Sequence, residues 1–121
     1  MIYTTYFANI RKLTNEITPI AICAKPPIGY SGIVYKSLAP KYDTLMRYKD
    51  TKDEKSYVSE YKSTVLNQLD VHSVVDELYA LSKTKDIALV CYEKPSDFCH
   101  RHLVCDWLNE NGIECSEYQN N

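Results

Sequence analysis

Apolar residues fall along this chain in two rhythms, and each change of rhythm marks an element. "IYTTYFA" alternates β-forming residues and predicts a strand over residues 2–8. "TPIAICAK" (18–25) is continuously apolar in its middle, which predicts a second strand covered on both faces. "DIALVCYE" (86–93) is the clearest strand of the chain, and "IECSEY" predicts a short last one. Elsewhere the spacing turns helical. "KYDTLMRYK" predicts a short helix, and Tyr57, Val58, Tyr61, Val65 and Leu69 mark a second from Asp53 onward. Beyond Asp70, a candidate N-cap, a third follows on Val71, Val74, Val75, Leu78 and Tyr79. "CHRHLVCDWLNENG" predicts a last helix, with Leu103, Val104, Trp107 and Leu108 facing inward and Gly112 as its stop.

Between the second strand and the first helix lies "PPIGYSGIVYKSLAP", rich in proline and glycine, which predicts a long loop bounded by Pro26 and Pro40. Strand, turn, strand, helices, strand, helix, strand is the order of an α/β fold. The expectation is a small Rossmann-like three-layer α/β domain spanning residues 1–121. It has a mostly parallel sheet of about four strands, flanking helices and right-handed crossovers.

Composition narrows the setting more than the function. A formal net charge of -2 supplies no general attraction to nucleic acid, so such a partner would need a local basic site. The start lacks the basic and apolar regions of a signal peptide, and "IALVCY" and "AICA" are far too short to span a membrane. Five cysteines, an odd number without close-spaced pairs, favour a reducing cytoplasm and free or ligand-binding thiols over structural disulfides. Eleven tyrosines against two phenylalanines and one tryptophan suit pocket rims and half-buried faces.

Ligands of open parallel sheets sit beyond the carboxyl ends of the strands. Three segments leave those ends: "FANIRK", "KPPIGYSGIVYK" and "CYEKPSDFCHR". Cys99 stands at the start of the last helix, where unpaired amides and the dipole favour anions. With Arg101 these amides would make an anion or nucleotide-like ligand seat, which ranks first. The same surroundings, with His100 and His102 adjacent, would activate Cys99 as a nucleophile. Glu93 is placed to move a proton or to orient His100 or Arg101, and Cys91 ends the strand beside it. Tyr6, Tyr30, Tyr35 and Lys36 are further candidates for ligand contact from the other two segments. Cys91, Cys99 and a histidine, with Cys105 as a weaker fourth, leave a Cys/His metal-binding domain open. The usual C-x2-C spacing is missing, so no metal ligand or cofactor is assigned. Cys23 is expected in the core, Cys115 in a strand and His72 in solvent. The expected partner is a small anionic or nucleotide-like ligand. A small enzyme on a phosphate-bearing substrate stands against a binding module without turnover.

"YTTYFANIRKL", "YSGIVYKSLAP" and above all "LVCYEKPSDFCHRHLVCDWL" together resemble the domain of unknown function 488 family of bacteria and their phages. The resemblance runs in order over most of the chain. Its closing L-x-C-x-E…C-H-R signature implies a site at Cys91, Glu93, Cys99, His100 and Arg101. The family name states no reaction, so what the resemblance implies is the fold and the place of the site.

Overall fold

A computed structural model describes residues 1–119. Five strands form the sheet: β1 (Ile2–Tyr6), β2 (Ile17–Ala21), β3 (Ile33–Val34), β4 (Asp86–Cys91) and β5 (Cys115–Glu117). They lie in the order β3-β2-β4-β1-β5, and every pairing is parallel. Four helices accompany them: α1 (Tyr42–Thr51), α2 (Glu54–Thr64), α3 (Val71–Leu81) and α4 (His100–Glu110). This is the small three-layer α/β domain that the order of elements predicts, with one strand more.

The fifth strand is β3, two residues long, inside the segment read as loop. Its register, Ile20 beside Ile33 and Ala21 beside Val34, needs only a short extended stretch, which leaves no periodic signal. Both early strands are shorter than their apolar runs. β1 ends at Tyr6 because Phe7–Lys12 winds into a 3-10 turn, and β2 ends at Ala21. The helical spacing from Asp53 to Leu69 also breaks: α2 stops before Val65, and Leu66–Gln68 is a 3-10 turn that still buries Val65 and Leu66. Asp53 and Asp70 cap α2 and α3 by accepting from the Ser56 and Ser73 amides. Gly112 stops α4 at φ +79°, a conformation that L side chains rarely adopt.

Strand alternation divides the core. Ile2, Ile20, Ile22, Ile87 and Leu89 join Tyr61, Val74, Leu78, Val104 and Leu108 of the helices in one cluster. The opposite face carries smaller residues, Thr5, Ala21, Ala88 and Val90, also fully buried. Its cover is thin. Asn9 in the 3-10 turn donates to Thr5 Oγ1 at 3.1 Å, and Tyr30 packs edge-on against Phe7 while its hydroxyl donates to the Ile33 carbonyl at 2.6 Å. Small side chains on this face let a turn and a loop lie close to the sheet where a full helix would stand farther off. Among the described residues no helix is long and apolar enough to cross a membrane.

Candidate functional site

Strand order decides where a crevice can open. After β2 the chain turns outward to β3, whereas after β4 it crosses by α4 to β5 on the opposite side. β2 and β4 are neighbours whose continuations diverge, which makes the gap beyond their carboxyl ends a topological switch point. A cavity of about 660 Å³ lies there. Cys23, Ala24 and Lys25 enter from β2, Cys91, Tyr92 and Glu93 from β4, and Phe98, Cys99 and His100 from the start of α4. Its far wall is α1, which contributes Tyr42, Leu45, Met46, Tyr48 and Lys49. Tyr48, Tyr57 and Phe98 pack on one another with ring centroids 5.0–5.2 Å apart, giving that wall a rigid aromatic surface.

The floor holds the chemistry. Cys91, Cys99 and His100 are all buried, and one ligand atom from each lies within 4.8 Å of the others. The sulfurs of Cys91 and Cys99 are joined, with S–S 2.13 Å and Cα atoms 7.6 Å apart, which differs from the free or ligand-binding thiols expected over a structural disulfide. Sequence spacing offered no sign of this pairing, since eight residues of loop and helix start separate the two. Glu93 Oε2 stands 3.9 Å from Cys91 Sγ on an otherwise exposed side chain. His100 Nε2 is 2.7 Å from the Ile22 carbonyl oxygen, which can only accept, so Nε2 carries the proton. The lone pair is left on Nδ1, 3.9 Å from Cys99 Sγ. Burial pushes the His100 imidazole down to about 4, against the Ile22 hydrogen bond, which raises it, so the ring is neutral near pH 7.

Arg101 does not present its fork to the cavity. It is fully buried, with Nε and Nη2 donating to the two carboxylate oxygens of Glu117 at 3.1 and 3.0 Å. Nη1 donates to the Glu93 carbonyl and, at 3.3 Å, to Cys91 Sγ. Thr4 Oγ1 donates to Glu117 from the other side, and the Tyr6 ring lies 5.9 Å beneath the guanidinium. Arg101 and Tyr6 thus stand behind the floor and brace Cys91. The anion fork expected of Arg101 is corrected by its partner Glu117, which lies sixteen residues on in the last strand.

The remaining candidates are dispersed. Tyr30 sits over the small-residue face and Lys36 is exposed at the start of a 3-10 turn; neither lines the cavity. Tyr35 is buried with its hydroxyl on Glu77. His72 is exposed, as expected. Cys105 hydrogen-bonds to Cys115, away from the three-residue cluster, so it is no fourth member. Cys23, read as core, lines the cavity with its thiol raised by burial. Its place toward the carboxyl end of the second apolar run is the signal that could have found it. The α1 wall carried no such signal, because a short amphipathic helix reads the same over a cavity as over a core.

No curated protein and no solved structure matches the chain. The family model DUF488-N3a, described as the active DUF488-N3 subclade, matches residues 2–112, a span that holds every cavity residue named above. Sequence motif and fold agree with that match, and the chain belongs to the DUF488 family.

Proposed function

We propose that the protein is a small enzyme acting on a phosphate-bearing, nucleotide-like ligand held in the cavity between β2, β4 and α1. The observation that carries this reading is the combination of an aromatic wall, two lysines and a buried floor of sulfur and imidazole in one cavity. Its volume of about 660 Å³ is that of a typical small-molecule pocket. Tyr48, Tyr57 and Phe98 offer faces for a planar ring. Lys25 and Lys49 supply positive charge to the phosphate in place of Arg101, helped by the amides at the start of α4. Glu93, exposed at the mouth beside Cys91, is the group that moves a proton, and Cys99 with His100 forms the floor on which the reacting atom rests.

The joined sulfurs favour a second reading, a binding module without turnover, because a sulfur bonded to another carries no nucleophilic lone thiolate. One pair of measurements separates the two. Common nucleoside monophosphates are titrated calorimetrically into the reduced protein, with inorganic phosphate as control, and the mixtures are then followed for product by mass spectrometry. Nucleotide binding that weakens about tenfold in Lys25→Ala/Lys49→Ala supports the site, a loss of about 1.4 kcal/mol. Turnover that Glu93→Gln removes while binding survives supports the enzyme, and binding without turnover supports the module. No binding below about 1 mM, the −4 kcal/mol level, overturns both.

A further inference from the structure

We propose that Cys91, Cys99 and His100, in the reduced protein, form a binding site for a divalent zinc-type ion whose fourth position opens into the cavity. Three observations converge on it, and none depends on which ligand fills the space above. The first is the donor set: two sulfurs and an imidazole nitrogen, all buried, within 4.8 Å of one another. Two thiolates and a histidine suit a borderline-soft ion, and three protein ligands with one open position is the arrangement of catalytic rather than structural zinc.

The second is the state of His100. Its Nε2–H is tied to the Ile22 carbonyl, so the ring cannot rotate freely and Nδ1 keeps its lone pair toward Cys99. A backbone carbonyl on the distal nitrogen is the usual outer support of a metal-binding histidine. Arg101 completes that support on the other ligand by donating to Cys91 Sγ while Glu117 balances its charge. Two thiolates, one divalent ion, one guanidinium and one carboxylate then sum to zero formal charge in a buried place.

The third is spacing. The Cα atoms of Cys91 and Cys99 stand 7.6 Å apart, wider than the roughly 4.4–6.8 Å that disulfides span. A tetrahedral ion with bonds of about 2.3 Å holds its two sulfurs roughly 3.8 Å apart, which suits the wider backbone separation. Loading starts from the joined pair. Two molecules of a small thiol reductant each give up one hydrogen, the Cys91–Cys99 bond breaks, and two cysteine thiols and one small-molecule disulfide form. The ion then displaces both thiol protons to solvent. Water would take the open position, with Glu93, whose carboxylate lies 3.9 Å from Cys91 Sγ, as a base to accept its proton.

The test uses the full chain, purified with a thiol reductant and without chelator, then given zinc and dialysed. About one equivalent of zinc by elemental mass spectrometry is expected, since such sites fill stoichiometrically. Cobalt(II) in its place is expected to give thiolate charge-transfer absorption in the near ultraviolet and the visible bands of a tetrahedral ion. Cys91→Ser and Cys99→Ser should each weaken binding at least about a hundredfold, beyond the roughly 10–100-fold that outer-shell changes alone cost. Cys105→Ser should leave it unchanged. Uptake below about a tenth of an equivalent by the reduced wild-type protein overturns the proposal. So does a cobalt spectrum without thiolate absorption, which decides the matter even where a serine variant fails to fold. Nucleotide binding is measured separately on the loaded protein, and its absence beside full metal uptake counts against the proposed substrate and not against the ion.

Discussion

Arg101 is the largest fully buried side chain of the protein, and its burial decides what losing it should do. Truncation to alanine leaves Glu117, 18% exposed, with its negative charge half-buried beside Thr4 alone. Removing one partner of a buried pair costs about 3–5 kcal/mol, and the remaining water around Glu117 places this case near 3. Urea denaturation of Arg101→Ala should read that loss, and Arg101→Met with Glu117→Leu should recover most of it. A variant that unfolds like the wild type would mean that the guanidinium is not held as described. His100 makes a second prediction at this scale, for the metal-free protein. Its imidazole falls from 6.5 in the unfolded chain to about 4 in the folded one, chiefly by burial. The folded state therefore holds fewer protons between those values, and stability present above pH 6.5 is lost as pH falls through 4. The loss is of the order of 3 kcal/mol. Denaturation curves of wild type and His100→Asn, compared from pH 7 to 4, should converge as pH falls, because only the wild type carries this slope.

At the scale of elements, α4 shows how far the sequence could be read. The apolar spacing of Val104 and Leu108, the Gly112 stop and the run "IALVC" ahead of it placed a central strand and a helix correctly, and with them the floor of the site. The meeting of Cys91, Cys99 and a histidine was legible too, whereas most partners across elements were not. Glu117 has no local mark as the partner of Arg101, because β5 is three residues long and its alternation is too brief to show which side faces α4. β1 was overextended for a related reason: Phe7 and Ala8 suit a strand, and only the tertiary fit of Asn9 onto Thr5 turns the chain there. The α4–β5 pair also carries a test. The hydrogen bond from Cys115 lowers the Cys105 thiol, while the same bond and burial raise Cys115. Cys105 is also the more accessible of the two. Timed alkylation with peptide mapping should therefore modify Cys105 first, and Cys115 only after the bond between them is lost. Equal rates would show that the two thiols are not paired across α4 and β5.

For the whole molecule, the consequence of the strand order is that the site hangs from the sheet without being part of it. β4 lies between β1 and β2, and five of its six residues are buried, so its amides should open only with the entire fold. The segment from Tyr92 to Asp97 that follows is exposed throughout and is fastened at both ends by Cys91 and Cys99. Further ties come at its start, where the Tyr92 hydroxyl donates to the Lys25 carbonyl, the Tyr92 ring packs on Phe7 and Arg101 donates to the Glu93 carbonyl. Breaking the bond between the sulfurs should therefore loosen the rim of the cavity and leave the sheet as it was. In native-state hydrogen exchange, reductant with chelator should speed the amides of Lys94 and of Ser96–Phe98 by at least about tenfold, 1.4 kcal/mol of local opening, with Ile87–Val90 unchanged. Zinc added to the reduced protein should return the segment to its slow rate, because the ion would clasp the same two residues. Faster exchange in β4 itself would mean that the clasp stabilises the global fold, and that the crevice is not the separable unit its topology describes. The division has a functional reason. A rim that can loosen while the strands stay fixed lets a ligand reach a buried floor without unfolding the protein that positions it.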